Sequence, residues 1–137
     1  MNYLDSNIFI SPLTYPNSKG TACKNILSVI LHGKTKACTS FLTWDEIVFI
    51  TRKFLGKEIS STEGEKFLKF PNLYFLKVDE EVILMAQQLI MKYDLKPRDA
   101  IHAASAIASG CNEIISDDSD FDKIKEIKRL SPEKFKL

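Results

Sequence analysis

The chain lacks an excess of charge of either sign. Its 19 Lys and Arg stand against 18 Asp and Glu, a formal net charge of +1 over 137 residues. The molecule as a whole is therefore no electrostatic magnet for nucleic acid, and any basic surface must be local. Histidine is scarce: only His32 and His102 occur, and neither has an evident partner in the sequence, which disfavours a histidine acid–base pair. The cysteines, Cys23, Cys38 and Cys111, form no C-x-x-C pair, and no Cys or His set has zinc-ligand spacing. An odd, scattered set reads as free thiols in a reducing compartment, buried as small hydrophobes. No apolar run is long enough to cross a bilayer. The first residues lack the basic and apolar regions of a signal peptide, so the expected location is the cytoplasm. Internal repeats, low-complexity tracts and linkers are also missing. With 45% hydrophobic and 27% charged residues, residues 1–137 read as one domain with a proper core.

The acids that are present are unevenly spread. Asn112-Glu-Ile-Ile-Ser-Asp-Asp-Ser-Asp-Phe-Asp122 opens with the apolar pair Ile114 and Ile115, then places Asp117, Asp118, Asp120 and Asp122 close together. An apolar run that stops in carboxylates reads as a buried strand with charge at its C-terminal end. In open α/β sheets that end is where sites are built. Crowded carboxylates repel one another, and solvent exposure or a bound cation relieves them.

Taken in order, Asn2-Tyr-Leu-Asp5 is a short strand ending in an acid. Asp5-Ser6-Asn7 also suits a helix cap, so a capping Asp5 and a second strand-end carboxylate stand side by side. Residues 12–20 read as a loop, and residues 21–31 have helical spacing. A short second strand is expected over 37–40 and a helix over 41–55. Thr43-Trp-Asp-Glu46 fits a capping box, in which Glu46 would only satisfy a backbone amide. A helix start at Ser40 instead puts Glu46 a full turn inside. A weaker helix over 58–70 precedes a strand over 73–78 and a helix capped by Asp79. Pro97 suits the start of an alanine-rich helix over 98–109. Asp99 in its first turn either complements the helix dipole, worth ~0.3–1 kcal/mol, or serves as a third, rigidly held carboxylate. His102, one turn along, reads as a packed or hydrogen-bonding residue rather than a catalytic base. Phe121, Ile124 and Ile127 anchor a short helix or turn, with a small edge strand over 127–130. Strands alternating with helices predict an α/β domain with a largely parallel sheet.

The order of these motifs resembles the PIN-domain family, and in particular the compact VapC-type toxins and their archaeal relatives. Tyr3-Leu-Asp5-Ser-Asn7 comes first and Thr43-Trp-Asp-Glu46 second. Pro97-Arg-Asp99-Ala-Ile-His102-Ala-Ala-Ser-Ala and Ile114-Ile-Ser116-Asp-Asp118-Ser-Asp120-Phe121 follow. The resemblance covers the whole chain and implies a three-layer α/β/α sandwich around a central, mostly parallel sheet. It implies an acidic cleft that binds magnesium or manganese, as one or two ions, and cleaves RNA. Asp5, Glu46, Asp99, Asp118 and Asp120 match the family's acids, with Asp5, Asp99 and Asp118 as metal ligands. Asn7 and Ser116 match supporting polar positions. Serine at 116 replaces the more usual threonine and keeps the hydroxyl, whereas Asp117 and Asp45 are additional acids that leave the two acidic motifs open to an off-by-one reading.

Magnesium takes one or two carboxylates directly and keeps several waters, so Glu46 and Asp120 remain available to orient water or hold a second ion. Arg98, Lys96, Arg52, Lys53 and Lys57 are the candidate RNA-binding cations, each also readable as an ordinary solvated charge. The resemblance further implies a small antitoxin as partner and a homodimer. Three functions follow: a toxin ribonuclease, a housekeeping PIN nuclease in RNA processing, and a catalytically idle PIN fold that binds protein or RNA. The retained set of self-repelling acids argues against the third.

Overall fold

The computed structural model describes residues 1–14 and 17–137. Its elements in chain order are β1 (Asn2–Leu4), α1 (Asn7–Thr14), α2 (Ser18–Leu31), β2 (Ala37–Ser40), α3 (Leu42–Leu55), α4 (Lys57–Leu68), β3 (Leu73–Leu76), α5 (Glu80–Tyr93), α6 (Pro97–Ala108), β4 (Glu113–Ile115) and β5 (Lys128–Leu130), with 3-10 turns at Ser119–Lys123 and Pro132–Lys134. The strands form a five-stranded sheet in the order β3-β2-β1-β4-β5, and every pairing is parallel.

Side chains of successive strand residues point to opposite faces, and each face packs its own core. Tyr3, Cys38 and Ile114 pack with Ala86, Leu89, Ala103 and Phe121 beneath α5 and α6. Leu4, Ala37 and Ile115 pack on the other face with Ile8, Ile26, Ile47 and Phe67 from the first four helices. With both faces covered, the central strands β1, β2 and β4 are short and largely buried, while the edge strand β5, Lys128-Arg129-Leu130, is partly exposed. All three cysteines are free and buried.

Between β1 and its two neighbours the connections leave in opposite directions, β2 and β3 to one side and β4 and β5 to the other. Such a switch point opens a crevice at the C-terminal ends of the strands. Asp5 and Ser116 lie directly beyond β1 and β4 at that crevice, where Asp5 N–H still donates to Ile115 O at 3.0 Å and Ser116 N–H to Leu130 O at 3.1 Å.

The expected loop over 12–20 is largely helical. Pro12 lies inside α1, and α2 begins at Ser18 with Asn17 as its cap, accepting from the amides of Lys19 and Gly20. A mid-helix proline costs about 3 kcal/mol, but α1 buries Ile8 and Phe9, each worth roughly 1.5–3 kcal/mol. Burial therefore outweighs the breaker. Tyr15 and Pro16 of that stretch lie outside the described residues. The capping box at Thr43 does not form either. Helix α3 starts at Leu42, Thr43 is buried and bonded to Thr39 at 2.7 Å, and Ser40 Oγ takes the Leu42 amide at 3.0 Å. Glu46 is thereby freed from capping. Asp79 does cap α5, through the Val82 amide, and Pro97 does open α6. Helices α3 and α4 pack closely at Gly64, where a Cβ would come within 2.9 Å of Val48 and 3.1 Å of Trp44.

Candidate active site

The acids are delivered to the crevice from four parts of the chain. Asp5 follows β1, Glu46 lies at the start of the second turn of α3, Asp99 sits in the first turn of α6, and Asp118 and Asp120 follow β4. Helix α6 reaches the site because Ala100, Ala103, Ala104 and Ala106 are fully buried and leave no bulk between helix and sheet.

Asp5 is buried, 4% exposed, yet well supplied with donors. The Ser6 amide reaches Oδ1 at 2.8 Å, while Ser116 Oγ and Asn7 Nδ2 reach Oδ2 at 2.6 and 3.1 Å. Ser116 Oγ also accepts from Asn7 Nδ2 at 3.1 Å and from the Asp118 amide at 3.0 Å, so one hydroxyl ties β1 to the acidic turn. From β5, Arg129 Nη1 donates to Ser116 O at 3.0 Å and clamps that turn from behind. Glu46 receives the Ser6 hydroxyl on Oε2 at 3.1 Å and meets His102 Nε2 on Oε1 at 2.5 Å. His102 is almost wholly enclosed, 1% exposed, with Tyr3 Oη at 2.6 Å from Nδ1.

Asp99, Asp118 and Asp120 are different. One carboxylate oxygen from each lies within 4.8 Å of the others, and among the described residues neither Asp99 nor Asp118 has a Lys or Arg within 4.0 Å. Asp120 has only the half-exposed Lys123, at 3.6 Å. Desolvation, with Asp118, Asp5 and Asp120 nearby, pushes the Asp99 carboxyl up to about 6 despite the pull of His102. Burial likewise raises Asp5, opposed by His102 and the Ser116 bond. Burial pulls His102 down, but the Glu46 hydrogen bond and the Asp5 charge outweigh it and leave the imidazole raised.

The remaining acids of the run are already paired. Lys19 holds Asp117 at 2.8 Å, and the Arg129 fork holds Asp122 at 2.9 and 3.1 Å. The geometry therefore separates Asp118 and Asp120, which face Asp99, from Asp117 and Asp122, which do not. Asp45 is exposed and lies 3.9 Å from Arg98. Asp5 stands deeper than the three convergent acids.

The donor set fits a hard divalent cation. All three groups offer oxygen, hold more negative charge than their surroundings neutralise, and are half-buried rather than sealed. Beside Asp99, the side chains of Leu42, Asp45, Glu46, Lys96, Pro97, Arg98 and Ile101 line a cleft of about 690 Å³. Arg98 and Lys96 thus lie on the cleft wall, whereas Arg52 and Lys53 are exposed in the last turn of α3. A separate groove of about 540 Å³ runs between α1 and α3, from Ser6 and Asn7 past Ile10, Leu13 and Ile50 to Phe54 and Leu55.

Sequence reasoning missed Tyr3 and the partners of His102. The available signal was helical spacing, since Asp99 and His102 lie three apart on α6 and share a face. The partner on β1 lies 99 positions away and leaves no local trace.

A profile of the PIN domain matches residues 3–127. No curated protein sequence matches the chain. Among solved structures it is similar to VapBC2 from Rickettsia felis bound to a DNA fragment from their promoter, at 18% identity over 96% of this chain and 98% of that one, with a TM-score of 0.74. It is similar to FitAcB from Neisseria gonorrhoeae at 21% identity over 98% and 100% of the two chains, with a TM-score of 0.71. A third is VapC20 of Mycobacterium tuberculosis, a sarcin–ricin loop cleaving toxin, at 12% identity over 89% and 93%, with a TM-score of 0.73. At these identities the likeness establishes a shared fold, and the profile match establishes kinship: the chain belongs to the PIN-domain family.

Proposed function

We propose that this chain is a metal-dependent endoribonuclease that hydrolyses phosphodiester bonds in single-stranded RNA, and that it is the toxin of a VapBC-type toxin–antitoxin pair. The observation that carries this reading is the convergence of Asp99, Asp118 and Asp120 with, among the described residues, only the half-exposed Lys123 as a cation beside them. These three acids would hold magnesium or manganese, with Asp5 as the buried anion behind them. When bound, the ion supplies Lewis-acid stabilisation of charge on the scissile phosphate and makes water more acidic. Glu46, held on both oxygens by Ser6 and His102, orients the attacking water. Asn7 and Ser116 fix Asp5 and the acidic turn. Arg98 and Lys96 offer backbone-phosphate contacts that weaken with salt. Serving RNA cleavage, and with its cysteines free, the protein is assigned to the cytoplasm.

Two partners belong to this proposal. The α1–α3 groove, apolar along its length and ending at Ser6 and Asn7 of the site, would take a segment of a small antitoxin and block access. Exposed Leu84 and Met91 on α5 offer an apolar face for a homodimer.

The test is cleavage of a mixed single-stranded RNA pool with manganese, with magnesium and with EDTA, beside Asp99→Asn prepared identically. Cleavage that needs metal and disappears in the variant supports the nuclease. Cleavage that persists in EDTA or in the variant refutes it. Induced expression in cells, with and without the neighbouring gene, separates the toxin from a housekeeping nuclease: growth arrest relieved by the neighbour is the expected result.

A further inference from the structure

The Tyr3 and His102 side chains are the polar groups at the crevice whose place in the chemistry is still open. They form a continuous chain of hydrogen bonds. The Ser40 amide donates to Tyr3 Oη at 3.1 Å, Tyr3 Oη lies 2.6 Å from His102 Nδ1, and His102 Nε2 lies 2.5 Å from Glu46 Oε1. Tyr3 Oη, which also accepts the Ser40 amide, pairs with Nδ1, and the carboxylate at the other end of the ring requires an N–H at Nε2. That N–H meets the Glu46 carboxylate, with Asp5 Oδ1 at 3.6 Å. The donation at Nε2 holds for either charge state of the ring, since a carboxylate oxygen can only accept.

We propose that Tyr3 and His102 are positioning residues that fix the Glu46 carboxylate at the mouth of the acidic cleft. Glu46 is the endpoint of the chain and its only member with appreciable exposure, 18% of its side chain. Its other oxygen takes the Ser6 hydroxyl, so both oxygens are held before any ligand arrives, each with a further lone pair to offer. A core built only for stability would not need a buried tyrosine hydroxyl and imidazole placed in series against two carboxylates, because each such group must be desolvated and matched. Outer partners of this kind orient the groups in front of them, and their loss typically costs about 10–100-fold in activity. This role rests on the nuclease reading for its purpose and on the hydrogen-bond chain for its geometry.

The experiment has two arms. In the first, imidazole-labelled protein is examined by NMR for a solvent-protected His102 Nε2–H. The protected proton is expected in the wild type and lost in Glu46→Ala. A freely exchanging Nε2–H in the wild type overturns the proposal, whatever the RNA assay gives. In the second, Tyr3→Phe and His102→Leu lower kcat by about 10–100-fold with KM for RNA unchanged. His102→Gln, which keeps an N–H near the Nε2 position, recovers most of the loss. Wild-type kcat in Tyr3→Phe, or His102→Gln as slow as an equally folded His102→Leu, overturns it. Tyr3→Phe retains the ring and serves if His102→Leu does not fold. A wild-type chain that never cleaves RNA refutes the nuclease reading instead, and the protected proton still decides the chain.

Discussion

Asp5 and Glu46 are surrounded by donors, whereas Asp99, Asp118 and Asp120 are surrounded chiefly by one another. On the first side, Ser6, Asn7, Ser116 and His102 supply every short contact, and the acids behave as part of the buried framework. On the second, three carboxylates converge, and burial together with the neighbouring charges pushes Asp99 up to about 6 despite the pull of His102. On the proposed reading, protein groups fix what must not move, and repulsion is left where a cation would be received.

Breaking the open side has the largest expected effect. Asp118→Asn removes one of the three convergent acids and lowers RNA cleavage by at least about 10³-fold, equivalent to about 4 kcal/mol, while the urea midpoint of the metal-free protein stays the same or rises. Single-turnover cleavage at saturating manganese checks this.

Breaking the framed side costs stability as well. Ser116→Ala strips Asp5 Oδ2 of its 2.6 Å donor and leaves the Asp118 amide without its acceptor. A loss of about 1–3 kcal/mol is expected, read as a lower urea midpoint. Threonine at 116 retains the hydroxyl and most of the stability.

The raised Asp99 gives the contrast a pH dependence. The unfolded carboxyl titrates near 3.9 and the folded one at about 6, so the folded state holds the proton more tightly. Its contribution is fully present below about pH 4 and lost as pH rises through 6. In EDTA, Asp99→Asn is therefore more stable than the wild type at pH 7.5, by at most about 3 kcal/mol and by less as solvent screens the half-buried carboxylate, and the difference shrinks towards pH 4. Thermal melts at the two pH values check the sign.

The smallest effect sharpens the comparison. Asp117 stands beside Asp118 but is held by Lys19 rather than by the convergent acids. Asp117→Asn is expected to change stability by less than about 1 kcal/mol and to leave cleavage near the wild-type rate. A dead Asp117→Asn beside an active Asp118→Asn would reverse the assignment within the turn.

Much of the frame was legible because local chemistry determined it. Asp79 caps α5, Pro97 opens α6, and the apolar run before the acids is β4. The helical Pro12 was not legible, since the burial that compensates it depends on α2, α3 and α4 packing over the same face of the sheet as α1. Of the site, the acids themselves could be picked out from motif order. Which of Asp117 and Asp118 faces inward could not, because the deciding cation, Lys19, is 98 positions away. Glu46 looked equally like a capping residue until Thr43 was found bonded to Thr39 instead. His102 was legible as a packed or hydrogen-bonding residue, but its partners were not, because both come from other elements.

The most direct test of the open side is manganese binding to EDTA-stripped protein at pH 7.5, followed by calorimetric titration or the loss of free-ion EPR signal. Saturable uptake is expected, with a rise in melting temperature, weakened at least about tenfold in Asp99→Asn and in Asp118→Asn and unchanged in Asp117→Asn. Absence of saturable uptake by the wild type, or equal uptake by Asp99→Asn, would contradict a cation site built from Asp99, Asp118 and Asp120.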